Sequence, residues 1–254
     1  MEKLKYLPVL MYHHIGEQKK GESPSNFCLE PAELELQLDY LVKKKYTPLD
    51  FSDLEAVLLG AKPCPQRPVM LTFDDAYFET LKKSAPLLAS RNLKGIFSVV
   101  TDYLGRASTW ETKNSAFLTV SGAQIREYQS PLISFESHTS GHRHLAQQTP
   151  EKNIIDLSLS KKQLESVTGK RVRAVFYPYG NYDEKVKAAA ANAGYIFGLA
   201  IATTKKTTIE DPFEMRRVYI KSSDSFFDFK RKISNWYIRF RGLREASREK
   251  RRKG

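Results

Sequence analysis

The chain has 254 residues, enough to bury one large core, and its 41% hydrophobic and 28% charged residues are ordinary for a globular domain. No solenoid-period repeat and no apolar run long enough to span a membrane is present, and the two cysteines, Cys28 and Cys64, exclude a disulfide framework while leaving one bridge open. The formal charge of +12 is unevenly placed, since residues 239–254 hold eight basic and two acidic side chains.

In chain order, an apolar strand is expected over 7–12, running into His13 and His14. Pro31 opens a helical pattern over 31–45, with Leu34, Leu38 and Leu41 at helical spacing, and a second helix is expected over 52–59. The strand 69–73 ends abruptly on Asp74 and Asp75. A helix over 77–90 is interrupted or kinked by Pro86, and a strand follows at 95–100. Trp110 lies in a polar stretch, 105–114, that reads as a surface loop. After a helix over 121–129, the strand 132–135 runs into Ser137-His138-Thr139-Ser140-Gly141-His142-Arg143-His144. A helix over 149–168 leads to the strand 173–177 and the turn Pro178-Tyr179-Gly180. The pattern ends with a helix over 183–193, strands over 196–201 and 215–220, and a helix over 225–240. Strands alternating with helices imply parallel βα units, and about seven of them fit a barrel with its functional residues at the strand C-termini.

Two adjacent carboxylates repel each other and resist burial, a conflict that a divalent cation resolves. The plain alternative is a solvated Asp-Asp turn. Three of the five histidines fall within residues 137–144. His138 and His142 with one Asp oxygen would make a three-ligand site with open positions, the form that metal catalysis takes. His144 is the alternative ligand, ranked as a supporting or surface residue. Such a donor set suits zinc first, with cobalt, nickel or iron(II) also compatible. In the third segment Pro178 and Gly180 fix a tight turn after an aromatic strand end, a way to present a backbone N–H rigidly. Tyr12, Tyr77, Tyr177, Tyr179 and Tyr182 sit beside these segments, either lining a sugar groove or packing the core.

The segments Thr72-Phe73-Asp74-Asp75, His138-Thr139-Ser140-Gly141-His142 and Tyr177-Pro178-Tyr179-Gly180, in that order and each at a strand end, resemble the polysaccharide deacetylase family, the NodB-homology domain of carbohydrate esterase family 4. The stretches Pro8-Val9-Leu10-Met11-Tyr12-His13-His14-Ile15 and Leu34-Glu35-Leu36-Gln37-Leu38-Asp39-Tyr40-Leu41 resemble its branch acting on poly-N-acetylglucosamine. The resemblance runs from about residue 7 to 220. It implies a distorted, incomplete (β/α) barrel of about seven parallel strands, with residues 1–238 as the catalytic domain and 239–254 as a basic, flexible tail.

The resemblance further implies metal-dependent removal of acetyl groups from an N-acetylglucosamine-containing polysaccharide. Asp75, His138 and His142 would hold the metal, Asp74 would be the general base, and the Tyr179 N–H would stabilise the oxyanion. Arg217, or its neighbour Arg216, would correspond to the strand-borne arginine near the catalytic Asp. The chain departs from the common pattern in two places. Phe176 and Tyr177 stand where many members have an arginine, and no His follows His144 to serve as the usual C-terminal acid; the resemblance to this branch, through its N-terminal Tyr-His segment, would give the general-acid role to His13. Competing readings are a carbohydrate-binding or surface protein with a degenerate site, and an esterase on O-acetylated glycan. The expected partner is an acetylated glycan, with an anionic surface for the basic tail; no specific nucleic acid is expected. Family resemblance places the activity outside the cell or on its surface. No signal peptide is recognisable, which leaves a cytoplasmic role open.

Overall fold

Val9, Leu10, Met11 and Tyr12 form an apolar run without polar alternation, the pattern of a strand covered on both faces. In the computed structural model, which describes residues 4, 6–17, 27–110, 117–201, 209–237 and 240, they are strand β1 (Val9–Tyr12). Two short strands, β2 (His14–Ile15) and β3 (Cys28–Leu29), pair with each other. Cys28 therefore lies in a strand, and both cysteines are free thiols, so the one bridge left open by the sequence is not formed. Helix α1 (Pro31–Lys43) carries Pro31 in its first turn, where no backbone N–H is needed, and buries Leu34, Leu38 and Leu41.

The alternation continues through β4 (Thr47–Pro48), α2 (Phe51–Leu58), β5 (Pro68–Phe73), α3 (Phe78–Ala89) and β6 (Gly95–Val99). Pro86 does not end α3: it lies in the last turn, and the helix runs on to Ala89. Then come α4 (Gly122–Tyr128), β7 (Ile133–Ser137), α5 (Pro150–Thr168), β8 (Ala174–Phe176), α6 (Glu184–Asn192) and β9 (Phe197–Ala200). Side-chain oxygens of Asp50, Ser121, Thr149 and Asp183 cap α2, α4, α5 and α6, satisfying N–H groups that helix geometry leaves unpaired. The chain ends with β10 (Met215–Arg216), β11 (Val218–Tyr219) and α7 (Phe226–Lys232). The single helix expected over 225–240 is split. Ser234 donates its hydroxyl to the Arg231 carbonyl and accepts from the Tyr237 N–H, which caps a separate turn.

Every strand pair is parallel, in the order β10-β9-β8-β7-β6-β5-β1-β11, with β4 added on β5. β10 and β11 are one stretch of chain parted at Arg217, yet they stand at opposite ends of that order. Residues 215–219 thus close the sheet, pairing with β9 through Met215 and Arg216 and with β1 through Val218 and Tyr219. The result is a distorted barrel of seven staves, β1, β5 to β9 and this closing stretch. Inside it pack Val9, Met70, Ile96, Phe176, Leu199 and Met215, with Phe51 and Leu54 of α2 completing the same cluster. No helix among the described residues is long and apolar enough to cross a membrane.

Candidate active site

Side chains alternate across a strand, so the face that carries Met70 into the barrel also carries Thr72 and, just past the end of β5, Asp74. The same rule puts Arg217 on the face of Met215 and turns Arg216 the other way. Arg217 Nη1 donates to both Asp74 oxygens, at 2.6 and 2.8 Å, and Ser98 Oγ on β6 donates to Oδ1 at 3.1 Å. Of the doubled arginine it is therefore Arg217 that meets Asp74. Its guanidinium also lies 5.0 Å from the centre of the Phe176 ring. Burial pushes the Asp74 carboxyl up, but the Arg217 guanidinium first, and then the nearby His138 and His13, outweigh it and hold the group below the usual carboxylate range. His13 Nε2 is 3.8 Å from Asp74 Oδ2, and its ring stands edge-on to both Phe27 and Tyr219, which also pack on each other.

Beside this pair, Asp75 Oδ1 lies 3.5 Å from His138 Nε2 and 3.3 Å from His142 Nε2. One ligand atom from each lies within 4.8 Å of the others, and all three residues are buried. His138 Nδ1 is 2.9 Å from the Phe176 carbonyl, which can only accept, so Nδ1 carries the proton and Nε2 presents a lone pair. Burial, then the neighbouring His142, pushes the His138 pKa down to about 4, which keeps that ring neutral near pH 7. The carboxyl of Asp75, which burial alone would raise, is held low by the neighbouring imidazoles, His142 first. Its buried Oδ1 has no hydrogen-bond partner. A carboxylate oxygen and imidazole nitrogens converging on one point fit a divalent cation.

Trp110 stacks on the His142 ring at 4.4 Å and donates its indole N–H to Tyr77 Oη at 3.1 Å. At the ring edge, the Tyr179 hydroxyl hydrogen-bonds His142 Nδ1 at 3.1 Å, and the exposed His144 stacks on Tyr179 at 4.1 Å without joining the ligand group. Tyr12, Tyr77 and Tyr177 are wholly buried, so the core reading holds for them; Tyr179 is 48% exposed at the site. Among the described non-glycine residues, Asp75, Ala76, Thr139, His142 and Tyr179 all hold positive φ. This sparsely populated conformation costs energy and persists where surrounding structure enforces it, as at functional sites.

The sequence reading named the residues that converge here but missed Ser98 and the Tyr179 phenol. Ser98 carried a faint signal, a polar residue on an otherwise apolar strand.

The polysaccharide deacetylase family model matches residues 61–198. The Bacillus subtilis protein YxkH is 25% identical over 219 residues, which span 86% of this chain and 73% of that protein. A poly-beta-1,6-N-acetyl-D-glucosamine N-deacetylase of Staphylococcus epidermidis is 27% identical over 172 residues, 64% of this chain and 57% of that protein. In fold, the chain is similar to the Streptococcus pyogenes deacetylase PplD in complex with acetate, with a TM-score of 0.78 at 24% identity over 91% of this chain and 99% of that one.

Proposed function

The chain belongs to the polysaccharide deacetylase family of hydrolases, and from that premise we propose that it removes acetyl groups from an N-acetylglucosamine-containing polysaccharide by metal-dependent hydrolysis. The observation that carries this reading is Asp74 clamped by Arg217, within reach of His13, beside a convergent Asp75, His138 and His142. The substrate class rests on the Staphylococcus epidermidis relative, named for such a polymer.

Asp75, His138 and His142 would hold a divalent cation, zinc by preference, which supplies Lewis acidity for the acetyl carbonyl and lowers the pKa of the attacking water. Asp74, kept ionised by Arg217, accepts the water proton. As water oxygen bonds to the carbonyl carbon, charge gathers on the carbonyl oxygen, and the Tyr179 main-chain N–H is assigned to it. The C–N bond then breaks, and His13 delivers a proton to the departing sugar amine. The 3.8 Å between His13 and Asp74 lets the two groups serve one substrate. Trp110 packs on the face of the His142 ring and the Tyr179 hydroxyl bonds its edge, which together fix the ring's orientation.

An acetylated wall or surface polymer as substrate places the proposed action at the cell surface or outside it. Residues 239–254, with eight basic and two acidic side chains, would add attraction to an anionic surface; this tail lies outside the described residues except at 240.

The test is acetate release from oligomeric N-acetylglucosamine by metal-stripped protein, with and without added zinc. Release that depends on zinc is expected. Release from O-acetylated xylan alone would make the enzyme an esterase, and none from any acetylated glycan despite bound zinc would leave a carbohydrate-binding protein.

A further inference from the structure

Pro68 begins β5 and Asp74 follows its end, a distance of about 20 Å at the rise of an extended strand. At the Pro68 end, away from the site, two adjoining clefts of about 350 and 550 Å³ open, lined also by Thr47 at the start of β4 and by Tyr6 ahead of β1. Their charged lining is wholly cationic: Lys43, Lys44, Lys45, Arg67 and Lys230, with no carboxylate among the described residues that line them. None of these five makes an ion pair with a described carboxylate, although the same surface elsewhere pairs Arg91 with Glu35 and Asp39. Three of them lie near rings, Lys44 at 5.9 Å from Tyr40, Arg67 at 6.0 Å from Tyr46 and Lys230 at 5.1 Å from Phe226. Five cations without a described carboxylate partner around two adjoining clefts make a positive potential there and call for an anion.

Asn235, on the cleft wall, is followed by Trp236, which is 66% exposed and stacks on the 48% exposed Phe240 at 5.3 Å. A soluble polyanion would be served by the cations alone. Paired exposed aromatics beside them match a bilayer interface, where rings sit at headgroup level while Lys and Arg meet anionic lipid.

We propose that this end of the barrel docks on an anionic phospholipid bilayer, with headgroup phosphates in the clefts and Trp236 and Phe240 seated in the interface. Docked so, the barrel mouth with Asp74 faces away from the membrane, toward polymer outside it. This inference stands apart from the hydrolytic reading, because lipid binding needs neither metal nor turnover.

The experiment is co-sedimentation of the full chain with vesicles of phosphatidylglycerol and phosphatidylcholine, against phosphatidylcholine alone. Binding to the anionic vesicles only is expected, weakening between about 0.1 and 0.5 M salt as screening sets in. Lys44→Glu/Lys230→Glu and Trp236→Ser/Phe240→Ser should each cut binding by about tenfold or more, with acetate release from soluble oligomers unchanged as the mark of correct folding. If the charge reversal disturbs the fold, Lys44→Gln/Lys230→Gln replaces it. Equal binding to neutral vesicles would overturn the proposal, as would binding indifferent to either pair of substitutions. Polyphosphate bound as tightly as anionic vesicles by both the native chain and the Trp236/Phe240 variant would overturn it in favour of a soluble polyanion.

Discussion

Arg217→Met perturbs the charge balance of the site at its centre. The guanidinium donates to both Asp74 oxygens, and the two side chains are 1% and 3% exposed. Without it, Asp74 keeps only the Ser98 hydroxyl and the more distant His13. Removing one partner of a buried ion pair costs about 3–5 kcal/mol, and that loss is expected near pH 7. Its pH dependence has a definite sign. In the native protein burial raises the Asp74 pKa but Arg217 and the nearby histidines lower it further, so the folded value lies below the unfolded one. Asp74 then contributes stability above its unfolded pKa that is lost as pH falls through the folded value. In Arg217→Met burial prevails, the folded pKa rises above the unfolded one, and the variant regains stability on acidification. The gap between the two proteins therefore narrows as pH falls. Urea unfolding at about pH 7 and about pH 4.5, with a chelator to keep metal linkage out, measures it. Arg217→Met/Asp74→Asn should recover much of the loss, because no lone charge stays buried. A gap below about 1 kcal/mol near neutrality, or one that widens toward acid, would refute the reasoning.

Three further expectations follow from single contacts. His13→Gln should lower the rate of acetate release by about 10²–10⁴-fold while zinc content stays unchanged; a smaller loss would move the acid elsewhere. Tyr179→Phe deletes the hydroxyl that meets His142 Nδ1, so calorimetric zinc affinity should fall about 10–100-fold, and an unchanged affinity would deny the phenol a role. Burial raises the Asp53 carboxyl, but hydrogen bonds from Lys62 and Lys94 hold its pKa at about 2. The stability this provides is present above the unfolded value near 3.8 and is lost as pH falls toward 2. Lys94→Met should therefore unfold at a higher pH in acid titration, and an unmoved midpoint would show the pair to be idle.

The barrel was legible because its strands are short apolar runs bounded by turn residues and its helices carry Leu at helical spacing, both of them local signals. Each of the seven expected strands is found. Local signals also marked the acids and histidines, since charged or imidazole groups directly after an apolar strand are conspicuous. Closure was not legible: 215–220 reads as one strand, and only the pairing reveals that its halves bond to opposite edges around Arg217. That same seam decides between Arg216 and Arg217, whose contact with Asp74 joins residues 143 apart in sequence. The Trp110 and Tyr179 contacts with His142 depend on how loops fold over the barrel mouth, which no periodicity encodes. The break after α7 turns on one Ser234 hydroxyl bonding the backbone, a choice weaker than the amphipathic pattern that hid it.

The proposed mechanism divides the labour between neighbouring carboxylates, Asp75 for the metal and Asp74 for the proton. Its most direct test is acetate release and bound zinc measured together on Asp74→Asn and His138→Ala. Asp74→Asn should keep zinc and lose turnover, and His138→Ala should lose both; turnover retained in Asp74→Asn, or zinc retained at full affinity in His138→Ala, would contradict it.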